Sequence, residues 1–400
     1  MATELVPVTP AVLRWARESI GVTAEVAAAR AGVTVERLLG WEEGRGEPTL
    51  AKLRDLGKLY QRPLAVFLLP EPPKLFDALR DFRRLPGTTD HTWSRALHKV
   101  YRRALDQQET VVELLEEAGE APTAQLPALK VDDDTEVAGE KARAHLGVTL
   151  STQFGWRNPE AAFNGWLEAV EAAGVFVLRT SDVDPKEMRG FSLPGAVPVI
   201  VINALDWPRG QVFSLLHEFA HLMLREGGLC DLLEPDTTAA RRIETWCNAV
   251  AAAILMPRGP FVEETAVQDR EQAPAEDVAE ELWTDASLSQ LSQRWGVSQE
   301  AIARRLVTLN QAPLSFYRTK REQYLALWTE EREEERRARR QKKSGGGPPP
   351  YRMAIRDRGR PYVRLVLDAY HRDVLTDSTV SNLLSLKLKH LADLQREAGA

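Results

Sequence analysis

Between Ser214 and Leu222 the chain reads Ser-Leu-Leu-His-Glu-Phe-Ala-His-Leu, an H-E-x-x-H array of His217, Glu218 and His221. On a helix, side chains four apart lie one turn apart on the same face. His217 and His221 can therefore meet one metal ion. Glu218 is rotated by about 100° from His217, so it points beside the ion rather than at it. A base acting on a metal-activated water belongs there. A catalytic zinc site also needs a third protein ligand and one open position. Metzincin spacing would require a glycine at Leu224 and a histidine at Gly227, which excludes that class. The segment Ile243–Pro257 offers Glu244, with Asn248 one turn later as a group to orient it or to tie two helices together. Glu226, Asp231 and Glu234 are alternative ligands in the polar loop around Gly227-Gly228, where a solvated turn is the simpler reading. Two imidazoles and a carboxylate suit Zn²⁺, although Mn²⁺ or Fe²⁺ can use the same donors.

The surrounding sequence supplies the helices this site requires. Asp206-Trp207-Pro208 reads as a cap followed by an N-terminal proline. Val212, Phe213, Leu215, Leu216, Phe219 and Leu222 predict a largely buried helix, with Gly227-Gly228 as its end. The runs 175–179 and 197–203 are β-branched and bounded by turn residues, so they predict strands, the second laid against the metal helix. The helix bearing Glu244 is rich in small residues and stops at Pro257. Cys247, three residues from Glu244, could face the metal pocket, but both it and Cys230 read more simply as buried thiols. His91, His98, His145, His371 and His390 have no ligand spacing. Tyr324, His371 and Arg225 are the candidates for stabilising a developing oxyanion.

Four hundred residues exceed what one core usually organises. The expected class is α+β and predominantly helical. The expected division is 1–70 a helical bundle, 71–134 a connecting helical segment, and 135–265 the unit around the metal motif. It continues with 266–329 helical, 330–350 a charged and Gly/Pro-rich linker whose run 330–343 reads as a solvated helix or a linker, and 351–400 a small C-terminal domain. Hydrophobic content of 44% and charged content of 28% exclude a wholly disordered or fibrous chain. No apolar run reaches the ~18–20 residues of a membrane helix, and the first twenty residues do not read as a secretory signal. Two cysteines make no disulfide framework, so a reducing cytoplasm is expected. A net charge of -6 argues against a surface that grips nucleic acid throughout.

In the first seventy residues, Thr9-Pro10, Thr23, Thr34 and Pro48-Thr49 mark four helix starts, and Gly32 separates the second helix from the third. That short glycine-containing turn is a helix-turn-helix pattern. Residues 1–60 carry eight Lys/Arg and eight Asp/Glu. Glu36, Glu42, Glu43 and Glu47 gather on the expected reading surface, which is therefore poor at neutralising phosphate. Protein docking competes with DNA binding as its role. Residues 291–306 repeat the pattern, where a bundle supporting the metal unit is the preferred reading.

The two-part pattern around residues 212–224 and 244–257, with Gly190-Phe191 and the run 199–203, resembles the ImmA/IrrE family of bacterial metallopeptidases. Here Cys247 and Val250 replace an alanine and a phenylalanine of the family motif. The resemblance implies a zincin-like metallopeptidase domain in which His217, His221 and Glu244 bind Zn²⁺ and Glu218 is the general base. It further implies a helix-turn-helix repressor as the protein substrate. Residues 21–50 resemble the Xre/Cro-type DNA-binding domain through Trp41-Glu42, Gly44 and Pro48-Thr49. In that family the third helix enters the major groove of double-stranded DNA, so Thr34, Glu36, Arg37 and Arg45 would face it. The competing expectation is a DNA-binding or antitoxin-like regulator whose metal site is structural, sensory or vestigial.

Overall fold

The computed structural model describes residues 5–18, 22–60, 62, 64–72, 93–122, 124–225, 228–230, 238–265, 273–341 and 347–399. The chain is mostly helical, with one small mixed sheet. It folds as two compact units, 1–102 and 103–400. Of the expected connecting segment 71–134, residues 73–92 and 123 lie outside the described residues.

The first unit holds α1 (Pro10–Glu18), α2 (Ala24–Ala31), α3 (Val35–Glu42) and α4 (Leu50–Tyr60), then a 3-10 turn over Leu64–Leu68. Its capping is local and legible. The Thr23 hydroxyl accepts from the Val26 N–H, and the Thr34 hydroxyl from the Arg37 N–H at 3.2 Å. Gly32 ends α2 with φ 62°, a left-handed conformation that glycine adopts without a Cβ penalty. Leu13, Leu38, Leu53, Leu56, Tyr60 and Phe67 form the core. Glu42 does not belong to the exposed acids of α3. It is buried, and its carboxylate accepts two hydrogen bonds from Arg17 at 2.7 and 2.8 Å. A carboxylate 25 positions away in sequence is a better partner for Arg17 than water, so the expected crowding of that surface loses one charge.

The helix α5 (Arg95–Ala118) enters the second unit. There follow α6 (Thr135–Leu146), α7 (Leu150–Gly155) and α8 (Pro159–Ala172), then β1 (Phe176–Thr180), β2 (Gly190–Leu193) and β3 (Val199–Asn203). Next come α9 (Pro208–Met223), β4 (Gly228–Cys230), α10 (Thr238–Leu255), α11 (Arg258–Thr265), α12 (Glu276–Leu282), α13 (Asp285–Trp295), α14 (Gln299–Thr308) and α15 (Leu314–Gln341). The tail is α16 (Pro350–Arg358), α17 (Arg360–His371), α18 (Asp377–Leu383) and α19 (Leu391–Ala398).

The sheet order is β1-β3-β2-β4. β1 and β3 are parallel, and β2 is antiparallel to both β3 and β4. All five residues of β3 are buried, as expected of a strand covered on both faces. β2 and β4 have no counterpart in the sequence expectations. Four and three residues are too few to show an alternating pattern, so pairing rather than propensity makes them strands.

The second unit corrects two further expectations. The metal helix ends at Met223, not at the glycine pair, and Arg225 takes the left-handed turn at φ 57°. Asp206 is not its cap. Trp207 occupies that position without a side-chain bond, while the Asp206 carboxylate accepts from the Trp207 N–H. Of the two readings of the charged run from Glu330, the solvated helix is the one seen, as α15 continues to Gln341. Its sequence places Glu333 and Glu335 one turn before Arg337 and Arg339, spacings that support a solvated helix. The tail shares a core with the sheet unit, since Val363, Val366 and Leu367 cluster with Val111, Leu114 and Val197.

Candidate metal centre

Two helices carry the site. α9 is buried nearly all round by Val212, Leu215, Leu216, Phe219, Ala220 and Leu222, which identifies a core helix. α10 presents Val250, Ala251, Ala252 and Ala253, all buried. A Cβ on Gly139 of α6 would lie 2.5 Å from the Ala253 Cβ, so only a glycine permits that approach of α6 to α10. The last carbonyls of α10 are capped from three sides. Arg143 donates to Ile254 O at 2.7 Å, the Gln153 amide to Leu255 O at 3.0 Å, and Arg305 to Met256 O at 3.0 Å. Cations there complement the negative end of the helix. Arg305 is itself fully buried and pairs with Glu136 at 2.6 Å. The helix bearing Glu244 is thus fixed at its far end.

His217, His221 and Glu244 converge. The two Nε2 atoms are 3.0 Å apart, and the Glu244 oxygens lie 3.3 Å from His217 Nε2 and 3.4 Å from His221 Nε2. Two donors bound at ~2.0–2.1 Å to one tetrahedral zinc ion are about 3.3–3.4 Å apart. The two His–Glu spacings match that figure, each to a different carboxylate oxygen, and the 3.0 Å between the imidazole nitrogens is shorter than it. The histidines are 1% and 2% exposed and the carboxylate 19%, so the cluster opens on the Glu244 side. Among the described residues this is the group of three able to hold a metal ion. Two nitrogens and one carboxylate oxygen are donors that suit zinc.

The electrostatics are those of a coupled cluster. Burial would raise Glu244, but the two imidazoles outweigh it and hold the carboxyl well below its usual range. Burial lowers His217, against the pull of Glu244. Burial also disfavours a charged His221, but Cys247, Glu244 and Glu218 outweigh it and raise the group. With facing nitrogens 3.0 Å apart, at most one of the two can carry a proton toward the other. Glu218 is fully buried on the same helix. Cys247, a buried thiol that burial pushes up, lies beside the His221 ring. The positive charge of Arg304 also acts on His217, and Arg304 donates to the Tyr317 hydroxyl at 2.8 Å. Sequence reading missed the influence of Arg304 because it does not follow from spacing along one helix.

The oxyanion candidates gain no place at the centre. Exposed His371 interacts with Gln395 in the tail, Arg225 is exposed beyond the end of α9, and Tyr324 sits on α15 under the influence of Asp285 and Glu300. Burial pushes the Tyr324 hydroxyl up to about 12. Asn248 is half-buried on α10. Glu226, Asp231, Glu234 and His91 lie outside the described residues. In the first unit, Thr34, Glu36, Arg37 and Arg45 are all exposed, and Arg45 is ion-paired with Glu43.

Residues 170–307 match the family model of a peptidase group described as the IrrE N-terminal-like domain. That span contains both helices of the centre and all four strands of the sheet. Residues 13–67 match a second family model, described as helix-turn-helix, which covers the first unit from α1 to the 3-10 turn. The chain therefore joins an Xre-type helix-turn-helix domain to an IrrE N-terminal-like peptidase domain. No curated protein matches it. No described helix is long and apolar enough to cross a membrane.

Proposed function

We propose that this protein is a zinc-dependent endopeptidase that regulates transcription by cutting a repressor-type protein. The observation that carries the reading is Glu218, fully buried and next to His217 of a His-His-Glu group able to hold a metal ion. A metal site that served only the fold would have no use for a base there. In this reading His217, His221 and Glu244 hold the ion. A bound zinc ion supplies Lewis acidity to the scissile carbonyl and makes water a stronger acid. Glu218 accepts the proton of the attacking water and returns it to the departing amine as the C–N bond breaks. The buried walls of α9 exclude competing water from the base.

The helix-turn-helix domain serves DNA or protein docking, through the exposed face of Thr34, Glu36, Arg37 and Arg45. Residues 135–265 are the peptidase unit in this division, and 266–329 its supporting helices. A chain confined to the cytoplasm would meet its repressor there.

Zinc content and cleavage of a helix-turn-helix repressor encoded nearby test the reading, alongside Glu218→Gln. The variant is expected to keep about one zinc per chain and to lose cleavage by at least about 10³-fold. Equal cleavage by both proteins would overturn the enzymatic reading. Reconstitution with Mn²⁺ and Fe²⁺ in parallel identifies the working ion.

A further inference from the structure

Gly190 opens β2 and is buried, paired with Ile202 of β3 on one side and with Cys230 of β4 on the other. Its backbone is not in the left-handed region, so no turn demands a glycine here. The demand is for space. A Cβ at this position would lie 3.3 Å from Glu218 Cγ, 3.1 Å from the Val201 carbonyl oxygen and 3.2 Å from Ile202 Cδ1. Carbon atoms in ordinary contact sit ~3.5–4.0 Å apart. The side chain of Glu218 therefore lies directly against the bare backbone of β2.

We propose that Gly190 is a positioning residue for Glu218, leaving room on β2 for the base to lie where its carboxylate reaches a group bound at the metal. The inference rests on the reading of Glu218 as the base. Its geometry is specific. The Val201 carbonyl is held in the sheet and cannot retreat. Ile202 Cδ1 is the end of a side chain and can. A Cβ at 190 is thus pressed toward Glu218, whose Cγ must give by a few tenths of an ångström and carries the carboxylate beyond it along. Misplacement of a catalytic group by about 1 Å can cost roughly 10²-fold.

A test that needs no protein substrate uses acetohydroxamate and the full chain loaded with Co²⁺. A hydroxamate chelates a metal ion through its carbonyl and hydroxyl oxygens, and the hydroxyl proton passes to a nearby base. Visible absorption reads both Co²⁺ uptake and acetohydroxamate binding. Gly190→Ala is expected to take up Co²⁺ with an affinity within threefold of wild type. Its acetohydroxamate dissociation constant is expected to rise at least tenfold, as it does in Glu218→Gln. The double variant Gly190→Ala/Ile202→Val relieves the packing against Ile202 while keeping the contact with Glu218. It should regain thermal stability and remain weak toward acetohydroxamate.

Wild-type acetohydroxamate affinity in Gly190→Ala, with Glu218→Gln weakened, would overturn the positioning role. So would recovery of that affinity in the double variant, which would make the glycine a packing residue only. If neither glycine variant takes up Co²⁺, Gly190 serves the fold and the proposal falls. If Glu218→Gln itself binds acetohydroxamate as tightly as wild type, the base assignment fails first, and the inference fails with it.

Discussion

The chain writes nearly the same helix-turn-helix twice and uses the two copies differently. In the first unit, a threonine-capped α2 ends at Gly32 with φ 62°, and Gly32-Val33-Thr34 leads into α3. In the second, a threonine-capped α13 ends at Gly296 with φ 70°, and Gly296-Val297-Ser298 leads into α14. The turn chemistry is the same because the same physics acts: a left-handed glycine stops one helix and a hydroxyl caps the next. What differs is the fate of the second helix. α3 leaves Glu36 and Arg37 exposed. α14 buries Ile302, Ala303, Arg305 and Leu306 in the core that holds the metal helices. A local turn signal specifies a shape, and burial then decides whether that shape is free to read anything.

Substitution should widen this contrast. Arg305→Ala removes the partner of Glu136 and uncaps Met256 O, so it is expected to cost roughly 3–5 kcal/mol in urea unfolding. Arg37→Ala should leave stability within about 0.5 kcal/mol. Comparable losses from the two would erase the distinction drawn between α3 and α14.

The reverse asymmetry should appear in DNA binding. Arg37→Ala is expected to weaken promoter binding by roughly 1–3 kcal/mol if it reads a base, or to lower the salt slope by about one if it meets a phosphate. A mobility shift with no salt dependence in the wild-type protein would assign α3 to protein docking instead.

The two units should also respond oppositely to pH. Burial lowers His98 to about 4, helped by Arg102 and Arg62. Between its ordinary value near 6.5 and about 4 the unfolded chain binds a proton that the folded unit refuses, so the first unit loses stability as pH falls. Burial raises Glu171 to about 8 against the pull of Arg360 and Arg364. From about 4.5 to 8 the unfolded chain releases a proton that the folded unit keeps, so this contribution is lost as pH rises. Each effect is roughly 1–2 kcal/mol after allowance for solvent screening. His98→Gln should flatten the acid slope of the unfolding midpoint, and Glu171→Gln the alkaline one. Unchanged slopes in both variants would contradict the burial assigned to these groups.

Features that reside in a single helix were legible in sequence. Thr23 and Thr34 announce their caps, the spacing of His217 and His221 announces a shared face, and the small residues before Pro257 announce a helix able to pack closely. Features that arise from two distant segments were not. The burial of Glu42 depends on Arg17, and β2 is a strand because β3 and β4 pair with it. The influence of Arg304 on His217 and the contact of Gly190 with Glu218 exist only after α14 and β2 have packed. The end of α9 was misplaced because Arg225, a residue with no turn preference, takes the left-handed conformation expected of the glycines beyond it.

The central claim is that a carboxylate on α10 completes a metal centre begun by two imidazoles on α9. Zinc titration of Glu244→Ala against wild type tests it most directly. The account predicts about one tightly bound zinc per wild-type chain and an affinity at least about 10²-fold weaker in the variant, since a lost ligand costs more than the 10–100-fold of a lost supporting group. Equal zinc affinity in the two proteins would contradict it.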